Sequence, residues 1–122
     1  MQPPPPGLAV DFVRAASYAG TRATGAPALT LTASKVPFAG RHVILVEDIV
    51  DTGATAAALT AALTACGAAS VGVVALLDKR AGRTVPFEAD HALFDCPDAF
   101  VVGYGLDHDE EHRCWPYVGV VD

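Results

Sequence analysis

The chain has 122 residues, 52% of them apolar, with 8 basic and 14 acidic residues and a formal net charge of −6. This size and apolar share suit one domain around a single core, and the few scattered basic residues exclude a nucleic-acid or anionic-membrane footprint. The three cysteines match neither a zinc spacing nor an even disulfide framework, which indicates reduced thiols and a cytoplasmic location.

The N-terminal third of the chain contains little regular patterning. Residues 1–7, with four consecutive prolines, predict an extended Pro-rich tail and not a secretory signal, and residues 8–122 are expected to form one domain. No apolar run reaches membrane-spanning length, so a soluble protein is expected. Leu8 to Arg14 alternates apolar and polar side chains, which predicts a strand exposed on one face. Ala15 to Pro37 is predicted to be a long mobile loop with one weak strand near Leu29 to Leu31.

The middle of the chain predicts a strand, a loop and a helix. His42 to Val46 is a continuous β-branched run of the kind found in a parallel strand covered on both faces. Ala54 to Cys66 carries leucines one helical turn apart and is followed by Gly67, as expected of a helix with a glycine cap. A second apolar strand, Val71 to Leu77, completes a right-handed parallel crossover unit.

The last third predicts a charged turn, Asp78 to Arg83, followed by short strands. These strands are expected at about His91 to Phe94, Phe100 to Gly103 and Tyr117 to Val121. The predicted fold class is therefore α/β, a mostly parallel sheet with flanking helices.

The loop between the first strand and the helix has the chemistry of a phosphate site. A Gly-containing turn at a helix N-terminus offers backbone N–H groups to an oxyanion, and Thr52 and Thr55 add two hydroxyls. Carboxylates beside this turn would repel a phosphate, so Glu47 and Asp48 suit ribose hydroxyls or a magnesium ion held through water. On these residues alone, the alternative is that Thr52 caps the helix and the acids favour its positive end.

Several segments together resemble one enzyme family. Val46 to Thr55 resembles the phosphoribosyl pyrophosphate (PRPP) signature of type I phosphoribosyltransferases. The later segments are similar, in order and spacing, to hypoxanthine-guanine phosphoribosyltransferases. They are Leu76 to Arg80, Pro97 to Asp107, Arg113 and Tyr117 to Val120, and upstream Val10 to Arg14 with Ser17 and Tyr18. The resemblance runs from Leu8 to the end of the chain and implies a type I phosphoribosyltransferase fold.

The resemblance implies a role for each residue of the PRPP loop. In that family a purine base displaces pyrophosphate from PRPP with magnesium assistance. Glu47 and Asp48 would hold the ribose hydroxyls, directly or through hydrated Mg²⁺, and Asp51 would accept or relay the proton of purine N7. Taken alone, Asp51 could be an Asx residue that stabilises the turn. The 5′-phosphate would be bound by Asp51, Thr52, Gly53, Ala54 and Thr55, mainly through backbone N–H groups.

The resemblance also assigns the base and pyrophosphate sites. Lys79 would donate to the 6-oxo group of hypoxanthine or guanine, because lysine has no acceptor for the amino group of adenine. Phe100 would stack on the purine and the backbone of Val101 would read its edge. Asp107, beside the purine, would bind a magnesium ion that touches pyrophosphate, and Arg113 would pair with pyrophosphate. Without the resemblance, Lys79 is a solvated turn lysine and Phe100 a core aromatic.

The implied activity is purine salvage, in which PRPP and hypoxanthine or guanine give IMP or GMP and pyrophosphate. Ser17 and Tyr18 would close as a lid over the site and exclude water. The expected partners are small molecules and other copies of the chain, with Mg²⁺ as the cofactor. His108 and His112 have no assigned role.

Alternatives follow from what the resemblance does not cover. The family's opening segments, which include a core strand, a helix and the pyrophosphate loop, have no counterpart in residues 1–7. A truncated enzyme sequence is expected, the alternatives being a chain completed by another polypeptide and a degenerate binding protein. A non-catalytic PRPP or nucleotide sensor is the competing class. Orotate, uracil and adenine phosphoribosyltransferases share the loop, but are not expected to combine Lys79 with the Phe100 to Asp107 run.

Overall fold

The computed structural model describes residues 6–13 and 37–121. These residues form five strands, one α-helix and one short 3₁₀ turn. In chain order they are β1 (His42–Val50), α1 (Ala54–Ala65), β2 (Ser70–Asp78), the 3₁₀ turn Arg80–Gly82, β3 (His91–Asp95), β4 (Phe100–Val102) and β5 (Gly119–Val121). The strands and helix predicted within residues 42–121 are confirmed, and β1 continues four residues beyond the predicted Val46.

The strands form two sheets. β1, β2 and β3 are parallel neighbours in that order, whereas β4 and β5 form a separate antiparallel pair. The register pairs Val50 with Asp78 and Asp78 with Asp95, so the carboxyl ends of the three parallel strands are level. In open parallel sheets, ligands bind at this edge, and the loops that follow β1, β2 and β3 all begin there.

Helix α1 covers one face of the parallel sheet. Its buried residues Ala56, Leu59 and Leu63 recur at helical spacing, and Leu59 packs in a cluster with Leu45 of β1 and Val73 of β2. The helix ends in a Schellman motif, because Gly67 N–H donates to the Thr64 carbonyl and Ala68 N–H to the Leu63 carbonyl. The predicted glycine cap is therefore confirmed by a left-handed Gly67 with φ 88°.

The strand predicted at Leu8 to Arg14 is wrong over its described residues. Residues 8–13 adopt no regular structure, and the Phe12 side chain is 86% exposed. Alternating side chains fit a pleat, but a strand also needs a neighbouring strand, and neither sheet formed by the described residues includes residues 8–13. The predicted loop and its weak strand near residues 29–31 lie outside the described residues, apart from Pro37.

The β1 side of the sheet carries exposed apolar surface. Among the residues that the structure describes, β1 lies at the edge of its sheet, and its Ile44 and Val46 side chains are 70% and 75% exposed. A cavity of about 720 Å³ lies among residues 7–13, β1 and α1. Apolar surface beside an open strand edge favours association with another polypeptide. Within the described part of the chain, no helix is long and apolar enough to cross a membrane.

Candidate functional site

The turn from β1 into α1 lies at the carboxyl edge of the sheet. Gly53 is the N-cap of α1, with φ 81°, and no side chain caps the helix there. The alternative for Thr52 was that it caps the helix. Thr52 is not the N-cap residue, but its hydroxyl oxygen accepts a hydrogen bond from Ala54 N–H at 3.2 Å. The remaining N–H groups of the first turn point out of the helix end, where they suit an anion.

A small cavity of about 100 Å³ opens beside this turn. It is lined by the last residues of β1, the turn and the start of α1, which are Glu47, Ile49, Val50, Asp51, Thr52, Gly53, Thr55 and Ala56. The structure thus brings most of the predicted phosphate-binding residues around one space. Because helix N–H groups and threonine hydroxyls border it, this cavity is the candidate phosphate site.

Gly53 is constrained by its backbone and by its neighbours. A Cβ at this position would lie 3.0 Å from the Phe87 Cβ and 3.3 Å from side-chain atoms of Arg83 and Val85. We expect Gly53→Ala to lower the free energy of unfolding by about 2 kcal/mol, because the left-handed backbone would be strained and the neighbouring side chains would be displaced.

Gly40→Ala is the matched control for this prediction. Gly40 has a similar φ of 72°, but a Cβ there would meet nothing within 4 Å. Urea unfolding should therefore show a loss of about 1 kcal/mol for Gly40→Ala, from backbone strain alone. Equal losses in the two variants would contradict the packing constraint at Gly53.

Asp51 and Lys79 form an ion pair at the ends of neighbouring strands. Lys79 Nζ lies 3.8 Å from Asp51 Oδ2, and the Lys79 side chain is only 15% exposed. Its backbone N–H donates to the Val50 carbonyl at 3.0 Å, which ties the end of β2 to that of β1. Lys79 is therefore not the solvated turn lysine that its sequence position alone indicates. The Asp51 carboxylate, an acceptor, and the Lys79 ammonium group, a donor, are therefore held side by side.

Cys96 belongs to the same region, although no role was predicted for it. Its N–H donates to the Asp78 carbonyl at 2.8 Å, directly after β3. Burial raises the pKa of the Cys96 thiol, the nearby Lys79 lowers it and the Asp51 carboxylate raises it, so the pKa lies above its usual value. A raised pKa keeps Cys96 a thiol at neutral pH and makes it a weak nucleophile.

Glu47 and Asp48 point to opposite sides of β1, because successive strand residues alternate. Only Glu47 lines the 100 Å³ cavity. Its Oε1 atom is buried and has no hydrogen-bond partner among the described residues, whereas the exposed Asp48 accepts a bond from Ile49 N–H at 2.7 Å. A buried acceptor without a donor suits a ligand hydroxyl or a hydrated cation.

The Glu47 carboxyl should make stability depend on pH. Burial, and secondly the charge of Asp48, raise the pKa of Glu47 in the folded chain. The folded protein then holds the proton more tightly than the unfolded one, so stability falls as pH rises from the unfolded pKa, about 4.3, through the folded pKa. Glu47→Gln should therefore have a higher Tm than the unchanged chain at pH 7.

Thermal unfolding at several pH values measures this effect. The advantage of Glu47→Gln should disappear below about pH 4, where glutamate is protonated in both states. Glu88→Gln is the control, because Glu88 is 71% exposed and should show no comparable pH-dependent gain. A Glu47→Gln chain that is less stable at pH 7 would contradict the proposed burial effect.

Asp107 and Arg113 also lie together, in the segment that follows β4. Arg113 Nη2 is 3.0 Å from Asp107 Oδ1 and 3.0 Å from Glu110 Oε2, and its Nη1 donates to the Gly105 carbonyl at 2.9 Å. The hydrogen bond to Glu110 is the main cause that raises the pKa of Arg113. The predicted metal-binding and pyrophosphate-binding side chains thus neutralise one another in this structure.

The predicted metal ligands Glu47, Asp48 and Asp107 do not form one cluster. Among residues 6–13 and 37–121, no group of three or more His, Cys, Asp or Glu side chains is arranged to hold a metal ion. Magnesium commonly keeps several waters and binds one or two protein carboxylates together with substrate phosphates. Single carboxylates such as Glu47 fit that mode of binding.

Phe100 is exposed and not a core aromatic. Its side chain is 51% exposed, and its ring meets the His108 ring edge-on at a centroid distance of 4.8 Å. Val101, the next residue of β4, pairs with Val120 of β5. The Phe100 ring is accessible for stacking. Ser17 and Tyr18, the predicted lid residues, lie outside the described residues.

Sequence reasoning missed the residues that hold this edge of the sheet together. Asp78 is 2% exposed and is bonded by Arg80 and by Arg83. Burial raises the pKa of Asp78, but hydrogen bonds and charges from the two arginines outweigh it and hold that pKa below the usual value of 3.8. The available signal was an acidic residue at the end of an apolar strand with two arginines close behind it.

Comparison with known proteins identifies related chains. The phosphoribosyl transferase domain model matches residues 7–109. Hypoxanthine-guanine phosphoribosyltransferase from Streptococcus pneumoniae (strain ATCC BAA-255 / R6) is 44% identical over 115 residues, which cover 93% of this chain and 63% of the relative. The chain thus spans less than two thirds of the relative's length.

Solved structures of hypoxanthine phosphoribosyltransferases are also similar to this chain. A variant of hypoxanthine phosphoribosyltransferase from Trypanosoma cruzi, in a ternary substrates complex, has a TM-score of 0.80 and 39% identity, covering 87% of this chain and 57% of the other. The Trypanosoma cruzi enzyme in complex with its product IMP has a TM-score of 0.72 and 42% identity, covering 77% and 50%. These likenesses confirm the predicted α/β fold class with a parallel sheet.

Proposed function

Because the chain belongs to the phosphoribosyl transferase family, we propose that the protein transfers a 5-phosphoribosyl group from PRPP to hypoxanthine or guanine. The products would be IMP or GMP and pyrophosphate. The observation that carries the proposal is the Asp51–Lys79 pair, 3.8 Å apart, next to the cavity at the start of α1.

The pair matches one edge of a 6-oxopurine. On that edge N7 and the 6-oxo oxygen are neighbours. Lys79 Nζ would donate to the 6-oxo oxygen, and the Asp51 carboxylate would take the proton from N7 as N9 bonds to the ribose. Adenine presents an amino group at this position, and Lys79 offers it no acceptor, so the site should select 6-oxopurines.

The neighbouring turn supports the position of the nucleotide. Thr52, Gly53 and Thr55 line the small cavity and offer backbone N–H groups and hydroxyls, which suit the 5′-phosphate. Glu47 lines the same cavity with a carboxylate oxygen that has no donor among the described residues, and a ribose hydroxyl would supply one. Phosphate and ribose would therefore lie along the end of β1.

Magnesium fits the same carboxylates. Glu47, Asp48 and Asp107 would hold Mg²⁺ largely through water, and the bound ion would supply positive charge to the departing pyrophosphate. Arg113 would pair with pyrophosphate after leaving Asp107 and Glu110, its present partners. A guanidinium matches the oxygens of a phosphate group in two places at once.

We also propose that the chain forms a homo-oligomer and is cytoplasmic. Exposed apolar side chains on the edge strand β1, Ile44 and Val46, support association of the chain into a homo-oligomer. The substrates are small intracellular metabolites, which fits a cytoplasmic protein. The solved relatives bind their substrates and the product IMP, and this chain would bind the same classes of molecule.

The test is to supply the purified chain with PRPP, Mg²⁺ and, separately, hypoxanthine, guanine, xanthine or adenine, and to measure nucleoside monophosphate. Product with hypoxanthine or guanine and none with adenine is expected. PRPP binding without any product would favour the competing hypothesis of a non-catalytic sensor. If a chain extended to the length of its relatives also made no product, the enzyme assignment would be wrong.

A further inference from the structure

We infer that the turn from Lys79 to Arg83 positions Asp51, and that Gly82 and Arg83 are its positioning residues. The inference rests on the proposed function in one respect, the role of Asp51 as the proton acceptor. Lys79 already pairs with Oδ2 of this carboxylate. Gly82 and Arg83 act on its other oxygen and on its backbone.

Gly82 provides the space in which the Asp51 carboxylate lies. A Cβ built on Gly82 would be 1.6 Å from Asp51 Oδ1 and 2.9 Å from Asp51 Cγ. Both distances are far below van der Waals contact, so any side chain at position 82 would displace the carboxylate. The atoms displaced are the end of a side chain that can rotate. An added methyl group should therefore move Asp51 without unfolding the turn.

Arg83 fixes the backbone that carries Asp51. Its Nη1 donates to the carbonyls of Val50 and Asp51 at 2.6 and 2.7 Å, and its Nε donates to the Phe87 carbonyl at 2.9 Å. The Val50 carbonyl also accepts the Lys79 N–H at 3.0 Å, so both of its lone pairs are used. Two successive peptide groups at the end of β1 are thus held by one guanidinium.

Asp78 anchors the guanidinium from behind. Arg83 Nη2 donates to Asp78, and the Arg83 side chain is 13% exposed. A planar fork held by a buried carboxylate has little freedom to reorient, which favours precise placement of what it binds. Arg80 pairs with the same carboxylate, but it is 68% exposed and is not bonded to Val50 or Asp51. A substitution at Arg80 therefore serves as a control, because it changes the contact with Asp78 but not the hydrogen bonds to Val50 and Asp51.

Gly82→Ala compared with Gly72→Ala tests the first residue. A Cβ at Gly72 would meet only Asp90 Oδ2, at an ordinary 3.8 Å. Both variants should stay folded, with similar unfolding midpoints. Gly82→Ala should lower kcat for nucleotide formation about 100-fold, the effect of displacing a reacting group by about 1 Å, and change KM for PRPP little. The same kcat in both variants would overturn the inference.

Arg83→Lys compared with Arg80→Lys tests the second residue. Lysine keeps the charge beside Asp78 but lacks the fork that reaches several carbonyls. In the ligand-free chain, the amide hydrogens of Lys79 and Thr84, which bond to Val50 and Thr52, should exchange about tenfold faster in Arg83→Lys than in Arg80→Lys. Equal exchange in the two variants would overturn the role of Arg83.

Two readouts distinguish failure of the inference from failure of the proposed function. The ¹³C NMR signal of the Asp51 carboxyl and the amide exchange rates are measured without turnover. If the unchanged chain makes no nucleotide, a shifted Asp51 signal in Gly82→Ala but not in Gly72→Ala still supports the positioning role. If the chain is active and neither Gly82→Ala nor Arg83→Lys differs from its control, the positioning role is wrong and the function stands.

Discussion

Asp51→Asn is expected to lower kcat for IMP formation by about 10²- to 10⁴-fold, the usual contribution of a positioned general base. Asparagine has nearly the same shape as aspartate, but its amide cannot accept the N7 proton. Because the side chain remains in place next to Lys79, affinity for the product IMP should change only a few-fold. Steady-state kinetics and IMP titration separate these two effects.

The control for Asp51→Asn is Asp109→Asn. Asp109 is 92% exposed and carries no proposed role, so its amide should leave kcat unchanged. An Asp51→Asn chain that keeps more than half of the original kcat would contradict its role as proton acceptor. A large loss of IMP affinity without a loss of kcat would assign Asp51 to binding and not to proton transfer.

The second large effect is expected on stability, at Asp78. Asp78→Ala would leave the Arg83 guanidinium, 13% exposed, without the carboxylate that balances its charge. Removal of one partner from a buried ion pair is strongly destabilising, and we expect a loss of about 3 kcal/mol in the free energy of unfolding. The free energy of unfolding of most domains is only about 5–15 kcal/mol, so the urea midpoint should fall markedly.

The pH dependence of the Asp78 effect follows from its depressed pKa. The arginines lower the pKa of Asp78 in the folded state, so its stabilisation is present above the unfolded pKa of about 3.9 and is lost as pH falls through the folded pKa. The difference between the unchanged chain and Asp78→Ala should therefore narrow below about pH 4. Arg80→Ala is the control and should have a small effect, because the Arg80 side chain is 68% exposed and water solvates its charge. A midpoint for Asp78→Ala equal to that of Arg80→Ala would contradict this account.

Much of the fold could be predicted because local patterns agree with tertiary structure. The apolar β-branched runs near residues 42–46 and 71–77 are found in β1 and β2, and the leucine spacing predicts α1. The alternation at Leu8 to Arg14 misled, because side-chain patterning does not reveal whether a neighbouring strand is available to pair with the backbone. β1 was also predicted to be covered on both faces, but its Ile44 and Val46 side chains are exposed.

The orientation of the carboxylates depended on where β1 ends. The sequence suggested that the strand stops at Val46, which would place Glu47 and Asp48 together in a loop. The strand continues to Val50, so these side chains alternate across it and only Glu47 enters the small cavity. Strand ends are the least certain part of any reading from sequence, since polar residues at the end of a strand look like the start of a loop.

The positioning residues were hidden for a different reason. Arg83 is 33 residues from Val50 in sequence, and its partners are backbone carbonyls, which have no sequence signature. Gly82 leaves room for the Asp51 carboxylate because it has no Cβ, and the sequence does not show that these two residues are neighbours. In contrast, Asp51 and Lys79 could be proposed from the family resemblance, and the structure places them in contact.

A crystal structure of the chain with IMP would show directly whether the base binds beside Asp51 and Lys79. We expect the 5′-phosphate at the turn from Thr52 to Thr55, with N7 of the base within hydrogen-bond distance of the Asp51 carboxylate and the 6-oxo oxygen within reach of Lys79 Nζ. A phosphate bound elsewhere, or a base whose N7 and 6-oxo edge faces away from Asp51 and Lys79, would contradict the proposed site.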